Sequence, residues 1–388
     1  MGDDITRGIY SIDDLRRRAK RMLPKGIFEF IDRGTEDEVA LSEMLQAFAR
    51  IKLTQRAFVD VSKRSLATTI LGTEARLPFI IGPTGAGGLC AFNGELSVAR
   101  AAAAAGIPSV LAMGSIASME RVTASAPSGR HWFQLYMLQE RELTYELVER
   151  ANANGCEAIV LTVDQPLPSI REYNTRNGFV TSFQMNASAV LDCIVTPQWT
   201  LGVLLRYVLA GGMPRHENYP KALQRRITSK TGVKRVSAND TIVWDDVEQL
   251  RRRWPRKLVI KGLLRPEDAV RCAELGVDAV VVSSHGGRTF DSSPLAIEAL
   301  PRVVDAVNGR AAVFYDSGIR RGSDIAKAIA LGADAALIGR PSLYGVAADG
   351  QRGVTTAIEI LRKELDVALG YLGCRSISEL NRDCIHRS

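Results

Sequence analysis

The chain has 388 residues, of which 46% are hydrophobic and 24% are charged, and its formal net charge is +7. These proportions are typical of a soluble globular protein with a sizeable core. The basic surplus comes without a recognition module or interleaved aromatic residues, which argues against a nucleic-acid-binding protein. An anionic substrate, a phosphate-bearing cofactor or an acidic membrane surface would fit the surplus equally well.

Cysteine spacing and the lengths of apolar runs argue against further classes. The six cysteines form no CxxC pair, which disfavours a zinc ribbon or a redox dithiol and suits a reducing cytoplasm. The first residues lack the apolar region of a secretory signal. No run of about 18 apolar residues is present, so a membrane-spanning helix is not expected. We therefore predict a cytoplasmic protein without a metal site.

Residues 1–77 are predicted to form a helical N-terminal extension, with Ser11 capping its first helix. Beyond it, helical stretches alternate with short apolar strands. Each helix tends to end at a glycine, which is the expected stop signal. Fully apolar strands are typical of a parallel sheet that is covered on both faces. The predicted strands are 78–82, 108–112, 131–136, 157–163, 257–261, 278–283, 311–315 and 335–338.

Eight strands, each followed by a helical stretch, predict a (β/α)8 TIM barrel of the α/β class over residues 78–388. A doubly wound sheet is the competing fold. Its dinucleotide fingerprint is not matched by IGPTGAGGL (81–89), which is not GxGxxG followed by an acidic residue about 20 positions later. Residues 165–242 form a long insertion between strands four and five, which we expect over the active-site mouth or against a partner.

Polar residues follow the C-terminal ends of these apolar strands, where barrel enzymes build their active sites. A single such residue is often structural, but several at one rim favour a site. The loops DSGIRRGSD (316–324) and IGRPS (338–342) combine glycine with arginine and predict a phosphate site. The rim residues are Pro83, Thr84, Gly85, Gln134, Tyr136, Thr162, Asp164, Lys261, Ser283, His285, Arg288, Asp316, Ser317, Gly318, Arg320, Gly339 and Arg340.

Several of these segments together resemble the FMN-dependent α-hydroxy acid dehydrogenase/oxidase family, which includes glycolate oxidase, lactate and mandelate dehydrogenases and hydroxymandelate oxidases. The resemblance covers nearly the whole chain and is strongest to the mandelate dehydrogenase branch. It implies bound FMN and a homotetramer. The segments that carry it are IIGPTG (80–85), WFQLY (132–136), LTVDQP (161–166), SSHGGRTFD (283–291) and DSGIRRGSDIAKAIALGADAALIGRP (316–341).

The resemblance also implies catalytic roles. His285 would take the substrate proton as two electrons pass to flavin N5, and Asp164 would raise its pKa and stabilise the imidazolium. Tyr136 would bind the substrate hydroxyl. Lys261 would lie beside flavin N1, where negative charge gathers on reduction. The substrate carboxylate would be bound by two planar guanidinium groups, those of Arg171 and Arg288.

For the cofactor, the resemblance implies three groups of contacts. The isoalloxazine would be lined by Tyr136, Gln134, Thr162, Ser283 and the backbone of Pro83, Thr84 and Gly85. The ribityl chain would be held by Asp316. The phosphate would lie near Ser317, Gly318, Arg320, Gly339 and Arg340.

Two departures from the family pattern bear on the substrate. Phe30 stands where the family commonly has a tyrosine beside the substrate carboxylate. Gly114 stands where glycolate oxidase has a tryptophan, which opens the side-chain pocket. Both favour an aryl substrate. Ala112 and Ser284 also replace usual family residues, a flavin-contacting serine and an asparagine.

The predicted activity is oxidation of an (S)-2-hydroxy acid, mandelate-like, with a quinone-type electron acceptor. The alternatives are an oxidase that passes electrons to O2 and forms peroxide, a flavin-free binding barrel, and a phosphate-sugar isomerase or aldolase barrel.

Residues 188–235 combine an apolar, tryptophan-bearing stretch with basic residues, which suits peripheral contact with the inner face of the membrane. Pro197 and Gly202 interrupt the apolar stretch, so it would lie on a bilayer and not cross it. An active-site lid that packs on the barrel or on a neighbouring subunit is the alternative.

Overall fold

Eight parallel strands close into a barrel in the computed structural model, which describes residues 8–178, 187–228 and 239–386. Strands three to ten form the barrel in sequence order, and the tenth pairs with the third. The predicted (β/α)8 fold and its eight strands are confirmed. In chain order the strands are β1 (Thr68–Ile70), β2 (Thr73–Ala75), β3 (Phe79–Ile81), β4 (Ser109–Ala112), β5 (His131–Leu135), β6 (Ala158–Thr162), β7 (Lys257–Leu263), β8 (Ala279–Val282), β9 (Ala312–Asp316) and β10 (Ala335–Ile338).

Helices surround the barrel and make up much of the N-terminal extension. Ser11 caps the first helix as predicted, since its hydroxyl accepts a hydrogen bond from Asp14 N at 3.1 Å. The last helix is broken at Asp349 and Gly350. The helices are α1 (Ile12–Met22), α2 (Lys25–Asp32), α3 (Val39–Arg50), α4 (Gly87–Cys90), α5 (Gly94–Ala105), α6 (Met119–Ser125), α7 (Arg141–Ala153), α8 (Glu172–Arg176), α9 (Ala187–Val195), α10 (Pro197–Trp199), α11 (Arg206–Gly211), α12 (Trp244–Arg253), α13 (Pro266–Glu274), α14 (Ala296–Val307), α15 (Gly322–Ala330) and α16 (Arg340–Leu372).

The extension is not wholly helical, which corrects the prediction for residues 1–77. Strands β1 and β2 pair as an antiparallel hairpin. Its two loop residues, Leu71 and Gly72, have φ of +53° and +85°, as tight hairpin loops of this kind require. Ile70 and Ala75 of the hairpin are buried in one apolar cluster with residues of the barrel strands. The hairpin therefore packs against the barrel core.

The barrel interior is filled by apolar side chains from alternate positions of the strands. Trp132 and Phe314 stack there with ring centroids 6.2 Å apart. Ile80, Val160 and Val281 belong to the same buried cluster. A filled barrel leaves the loops at the C-terminal ends of the strands as the place for a site.

The insertion 165–242 packs on the loop that follows β3. Trp199 donates a hydrogen bond from Nε1 to Leu89 O at 2.7 Å, and Asn93 N donates to Tyr207 Oη at 3.0 Å. A π-helix at Thr200–Leu205 continues α10 into α11, and a short 3-10 helix follows at Lys221–Leu223.

Other side chains of the insertion form an exposed apolar surface, which we define as Leu191, Ile194, Val195, Leu201 and Leu209. Residues 179–186 and 229–238, which include Lys230, Lys234 and Arg235 of the predicted membrane segment, lie outside the described residues. No helix in the described ranges is both long enough and apolar enough to cross a bilayer.

Candidate active site

The predicted rim residues come together around one cavity of about 710 Å³, within the usual range for ligand sites. Of the predicted site residues, only Asp164 and Ser283 do not line this cavity, and each is bonded to a residue that does. The lining residues are Phe30, Pro83, Thr84, Gly85, Gly114, Gln134, Tyr136, Thr162, Arg171, Lys261, His285, Arg288, Asp316, Ser317, Gly318, Arg320, Gly339 and Arg340.

His285 and Asp164 form a partly buried pair, with His285 Nδ1 2.8 Å from Asp164 Oδ1. An ionised carboxylate only accepts hydrogen bonds, so Nδ1 carries the proton and Nε2 is left as the basic nitrogen. Burial would raise the pKa of Asp164, but the charges of His285 and Lys261 lower it below the usual value. Asp164 is therefore an anion that orients the imidazole.

Burial also lowers the pKa of His285 below its usual value, and Asp164 only partly opposes this effect. Asp164 raises the pKa of His285, as expected, but burial lowers it by more. Desolvation is the larger effect because the imidazole is enclosed by the cavity wall. A neutral imidazole at physiological pH is suited to act as a base.

Gly262 makes room for Asp164. The pairing of β7 with β8 shifts register between Lys261 and Leu263, and Gly262 has a φ of +111°. A Cβ atom at this position would lie 2.5 Å from both Cβ and Cγ of Asp164. Glycine is therefore required for two independent reasons, backbone conformation and space. The sequence analysis missed this residue, although a glycine inside an apolar strand is a signal for a bulge.

Lys261, Ser283 and Asp316 form a connected network beneath the cavity. Lys261 Nζ lies 2.8 Å from Asp316 Oδ2 and donates to Ser283 Oγ at 2.9 Å. Ser283 in turn donates to Asp316 Oδ2 at 2.8 Å and accepts from His285 N at 3.0 Å. Burial would lower the pKa of Lys261, but Asp316 and Asp164 raise it above the usual value. The network holds a permanent cation beside the base.

Three arginines face the cavity without a carboxylate partner in the described part of the chain. Arg171 Nη2 donates to Arg288 O at 2.5 Å, Arg288 Nη1 donates to Arg33 O at 3.0 Å, and Arg340 Nη2 donates to the same Arg33 O at 3.0 Å. Burial and then repulsion from Arg171 lower the pKa of Arg288 to about 9. Burial and then repulsion from Arg288 also lower the pKa of Arg340 to about 9. Buried cations that repel each other form a site for an anionic ligand.

Several buried side-chain polar atoms lack a hydrogen-bond partner within the described ranges, and Gln134 Nε2 and Thr162 Oγ1 are among them. Both residues line the cavity from the adjacent strands β5 and β6. Buried donors are normally satisfied, so a ligand with polar ring-edge atoms would complete them. Together with the cation of Lys261 and the arginines, these atoms fit a flavin nucleotide.

The start of α16 supports a phosphate position in the same cavity. Gly339 precedes the helix, and both Gly339 and Arg340 line the cavity together with Arg320. A helix N-terminus beside arginines favours a bound anion. Arg340 uses three of its donors on the carbonyls of Asp32, Arg33 and Gly286, which leaves two donors for such a ligand.

Phe30 and Tyr136 occupy the remaining predicted substrate positions. The Arg288 guanidinium lies over the Phe30 ring, 5.2 Å from its centroid, which is a cation–π contact. Tyr136 donates a hydrogen bond from its hydroxyl to Gln165 Oε1 at 3.0 Å. Burial raises the pKa of Tyr136 well above the usual value, so its hydroxyl keeps its proton.

The insertion contributes cavity residues that the sequence analysis did not single out. His216 and Tyr219 both line the cavity, and His216 Nδ1 lies 2.8 Å from Gly114 O. Gln165 and Ile170, at the start of the insertion, also line it. The rarity of histidine was the only available signal, because the chain has four histidines in total. The expectation that the insertion lies over the active-site mouth or against a partner stays a prediction.

Comparison with known proteins agrees with this geometry. The family model described as FMN-dependent dehydrogenase matches residues 19–387. The chain belongs to this family. It is therefore an FMN-dependent oxidoreductase that acts on 2-hydroxy acids.

Individual relatives cover almost the whole chain. It is 36% identical to (S)-mandelate dehydrogenase of Pseudomonas putida over 379 residues, which covers 98% of this chain and 94% of that protein. It is 40% identical to L-lactate oxidase of a Nostoc species over 375 residues, 95% of each chain. A crystal structure described as monotopic membrane protein (S)-mandelate dehydrogenase matches with a TM-score of 0.92 and 35% identity over 98% of this chain and 100% of that chain.

Proposed function

We propose that this protein oxidises an (S)-2-hydroxy acid with a mandelate-like aryl side chain to the corresponding 2-oxo acid. The observation that carries the proposal is the meeting of the His285–Asp164 pair with the Arg171 and Arg288 guanidinium groups around one cavity. A 2-hydroxy acid presents an acidic carbon beside a carboxylate. Its oxidation therefore needs a base for the α-hydrogen and, next to that base, a site for the carboxylate anion.

The chain's own residues bind the substrate and move its proton. Arg171 and Arg288 bind the substrate carboxylate and so relieve their mutual repulsion. The Tyr136 hydroxyl hydrogen-bonds the substrate hydroxyl. His285 Nε2 takes the proton from the α-carbon, and Asp164 stabilises the imidazolium that forms. FMN, when bound, would supply the acceptor for the two electrons and for the proton of the substrate hydroxyl, which completes the 2-oxo acid.

We also propose which residues bind the cofactor. Gln134, Thr162 and the backbone of Pro83–Gly85 line the flavin ring. Lys261, held by Ser283, supplies a positive charge near it. Asp316 binds the ribityl chain. The phosphate is bound by Ser317, Gly318, Arg320, Gly339 and Arg340.

We further propose that electrons pass to a quinone at the inner face of the membrane, where the protein binds peripherally through its exposed apolar surface. Leu209 is 78% exposed, Ile194 is 68% exposed and Val195 is 66% exposed. Contiguous exposed apolar side chains are a mark of interaction sites. Exposed Lys221, Arg225 and Arg226 follow in the same insertion and suit anionic headgroups. The relative described as a monotopic membrane protein has the same fold.

Reduction of O2 is the second candidate for the reoxidation step. The 40% identity to an L-lactate oxidase supports it. The two acceptors differ only in how the reduced flavin is reoxidised, so the substrate-binding residues do not discriminate between them.

An anaerobic experiment tests the activity and the acceptor separately. The purified holoenzyme is mixed with (S)-mandelate, (S)-lactate or glycolate, and loss of the visible flavin absorbance is followed. We expect mandelate to reduce the flavin fastest. The reduced enzyme is then mixed with air-saturated buffer or with a short-chain quinone. Faster reoxidation by the quinone supports a dehydrogenase, whereas faster reoxidation by air with peroxide formation would identify an oxidase.

A further inference from the structure

The turn 216–219 of the insertion is hydrogen-bonded to the loop that follows β4. Asn218 accepts a hydrogen bond from Met119 N at 2.8 Å and donates one to Ala117 O at 2.7 Å. Ser118 N donates to Glu217 Oε2 at 3.1 Å. His216 is bonded through Nδ1 to Gly114 O. The turn therefore holds its side chains in fixed positions against the barrel.

The protonation of His216 follows from its partner. A carbonyl oxygen only accepts, so His216 Nδ1 carries the hydrogen that it donates to Gly114 O. Burial lowers the pKa of His216, which keeps the ring neutral. The other nitrogen, Nε2, is then an acceptor, and no hydrogen bond to it is recorded among the described residues.

Tyr219 supplies the complementary group. Its ring centroid lies 5.4 Å from that of His216, and its hydroxyl lies 3.8 Å from where a Cβ at Gly114 would stand. Burial raises the pKa of Tyr219 to about 12, so the hydroxyl keeps its proton. Within the described ranges, this hydroxyl also has no recorded hydrogen bond. Because Gly114 has no side chain, no atom from that residue fills the space in front of the hydroxyl.

We propose that His216 and Tyr219 form a polar end wall that selects 2-hydroxy acids carrying a hydroxyl group at the far end of an aryl side chain. An acceptor on one cavity-lining ring and a donor on the neighbouring ring match a group that both donates and accepts, which a hydroxyl does and a carboxylate or an ammonium does not. Both wall residues are neutral, in contrast to the arginines that bind the acid group. This inference rests on the proposed function, because it concerns the side chain of that substrate.

The end wall is tested by comparing kcat/KM for (S)-4-hydroxymandelate and (S)-mandelate in the holoenzyme. We expect the wild type to prefer the hydroxylated acid by about tenfold or more, since an unmet buried hydrogen bond has about this effect. Tyr219→Phe removes only the hydroxyl. His216→Asn keeps a donor for Gly114 O but removes the Nε2 acceptor. Each variant should reduce the preference about tenfold. Tyr371→Phe, an exposed tyrosine outside the cavity, serves as the control.

Two outcomes overturn different claims. If both acids reduce the flavin but the wild type has no preference, or both variants keep the wild-type preference, the end wall does not contact the substrate and this inference is wrong. If no 2-hydroxy acid reduces the bound flavin, the proposed function is itself wrong. A preference that falls in both variants and not in Tyr371→Phe supports the inference.

Discussion

Gly262 and Asp164 approach so closely that a single added methyl group would lie 2.5 Å from two carbon atoms of the aspartate. The contact joins the bulge of β7 to the loop after β6. It determines where the Asp164 carboxylate lies, and hence how the His285 ring is oriented. A residue that does not line the cavity, and was not among the predicted site residues, thus positions the base.

Gly262→Ala should therefore lower activity through Asp164. The added methyl group must displace the carboxylate, and the loss of orientation should reduce the rate constant for flavin reduction about tenfold to a hundredfold. The matched control is Gly276→Ala, which has a φ of +74° but open space around its Cβ position. It carries a similar backbone strain and should lower the melting temperature without lowering kcat. Equal kcat values for the two variants would contradict this role of Gly262.

His285→Ala should abolish flavin reduction by 2-hydroxy acids, because the proton on the α-carbon then has no acceptor. FMN should stay bound, since the predicted phosphate and ring contacts are made by other residues. The measurement is the visible spectrum of the purified variant before and after substrate is added. Substantial reduction of the flavin in this variant would exclude His285 as the base.

The pH dependence of kcat/KM should follow the His285 imidazole. The neutral form is the active base, so the rate rises with pH through the pKa of His285 and then levels off. Burial places that pKa below the usual value of a histidine side chain, so the enzyme should be fully active at neutral pH. Asp164→Asn removes the contribution that raises the pKa. The midpoint of the pH profile of this variant should lie at a lower pH than in the wild type. The plateau value of kcat/KM should fall about 100- to 10,000-fold, because the imidazolium loses its counter-charge. A midpoint that moved higher would refute the assignment.

Arg171→Met should weaken substrate binding while leaving some flavin reduction. Losing one charge-assisted contact to the carboxylate should raise KM about 10- to 100-fold. The buried guanidinium has no carboxylate partner among the described residues, so an apolar replacement should not lower the melting temperature. Arg362, a half-buried residue that lies outside the cavity and pairs with Glu359 on α16, provides the control Arg362→Met. Unchanged KM in Arg171→Met would remove this residue from the carboxylate site.

Binding to anionic lipid vesicles should depend on the exposed apolar surface. The triple variant Ile194→Ser, Val195→Ser and Leu209→Ser removes apolar side chains that are largely exposed, and it should cosediment several-fold less than the wild type. Phe58→Ser, in the N-terminal extension, replaces an apolar residue that is even more exposed, and this variant should bind normally. Intact flavin absorbance would verify folding of each variant. Equal cosedimentation of both variants would argue against membrane contact through this surface.

The alternation of short apolar strands with helical stretches was sufficient to predict the barrel, since a parallel sheet covered on both faces needs that composition in every strand. The sequence also determined which end of the barrel holds the site. Polar residues such as Lys261 and His285 directly follow apolar strands, and the strand ends of a closed parallel barrel share one rim. The hairpin β1–β2 was missed because its three-residue strands are mostly polar, with one buried residue each.

Only the tertiary structure decided how the site is completed. The bond between His216 and Gly114, which no motif indicated, joins residues 102 positions apart. The pairing of His285 with Asp164, 121 positions apart, was expected only from the family resemblance. Patterns of hydrophobicity report which face of an element is buried, but they contain no information on which distant side chains meet. Three features of the site depend on such contacts between distant residues: the space that Gly262 leaves for Asp164, the unpaired arginines, and the wall formed by His216 and Tyr219. Packing and burial are set by neighbours in space and not in sequence.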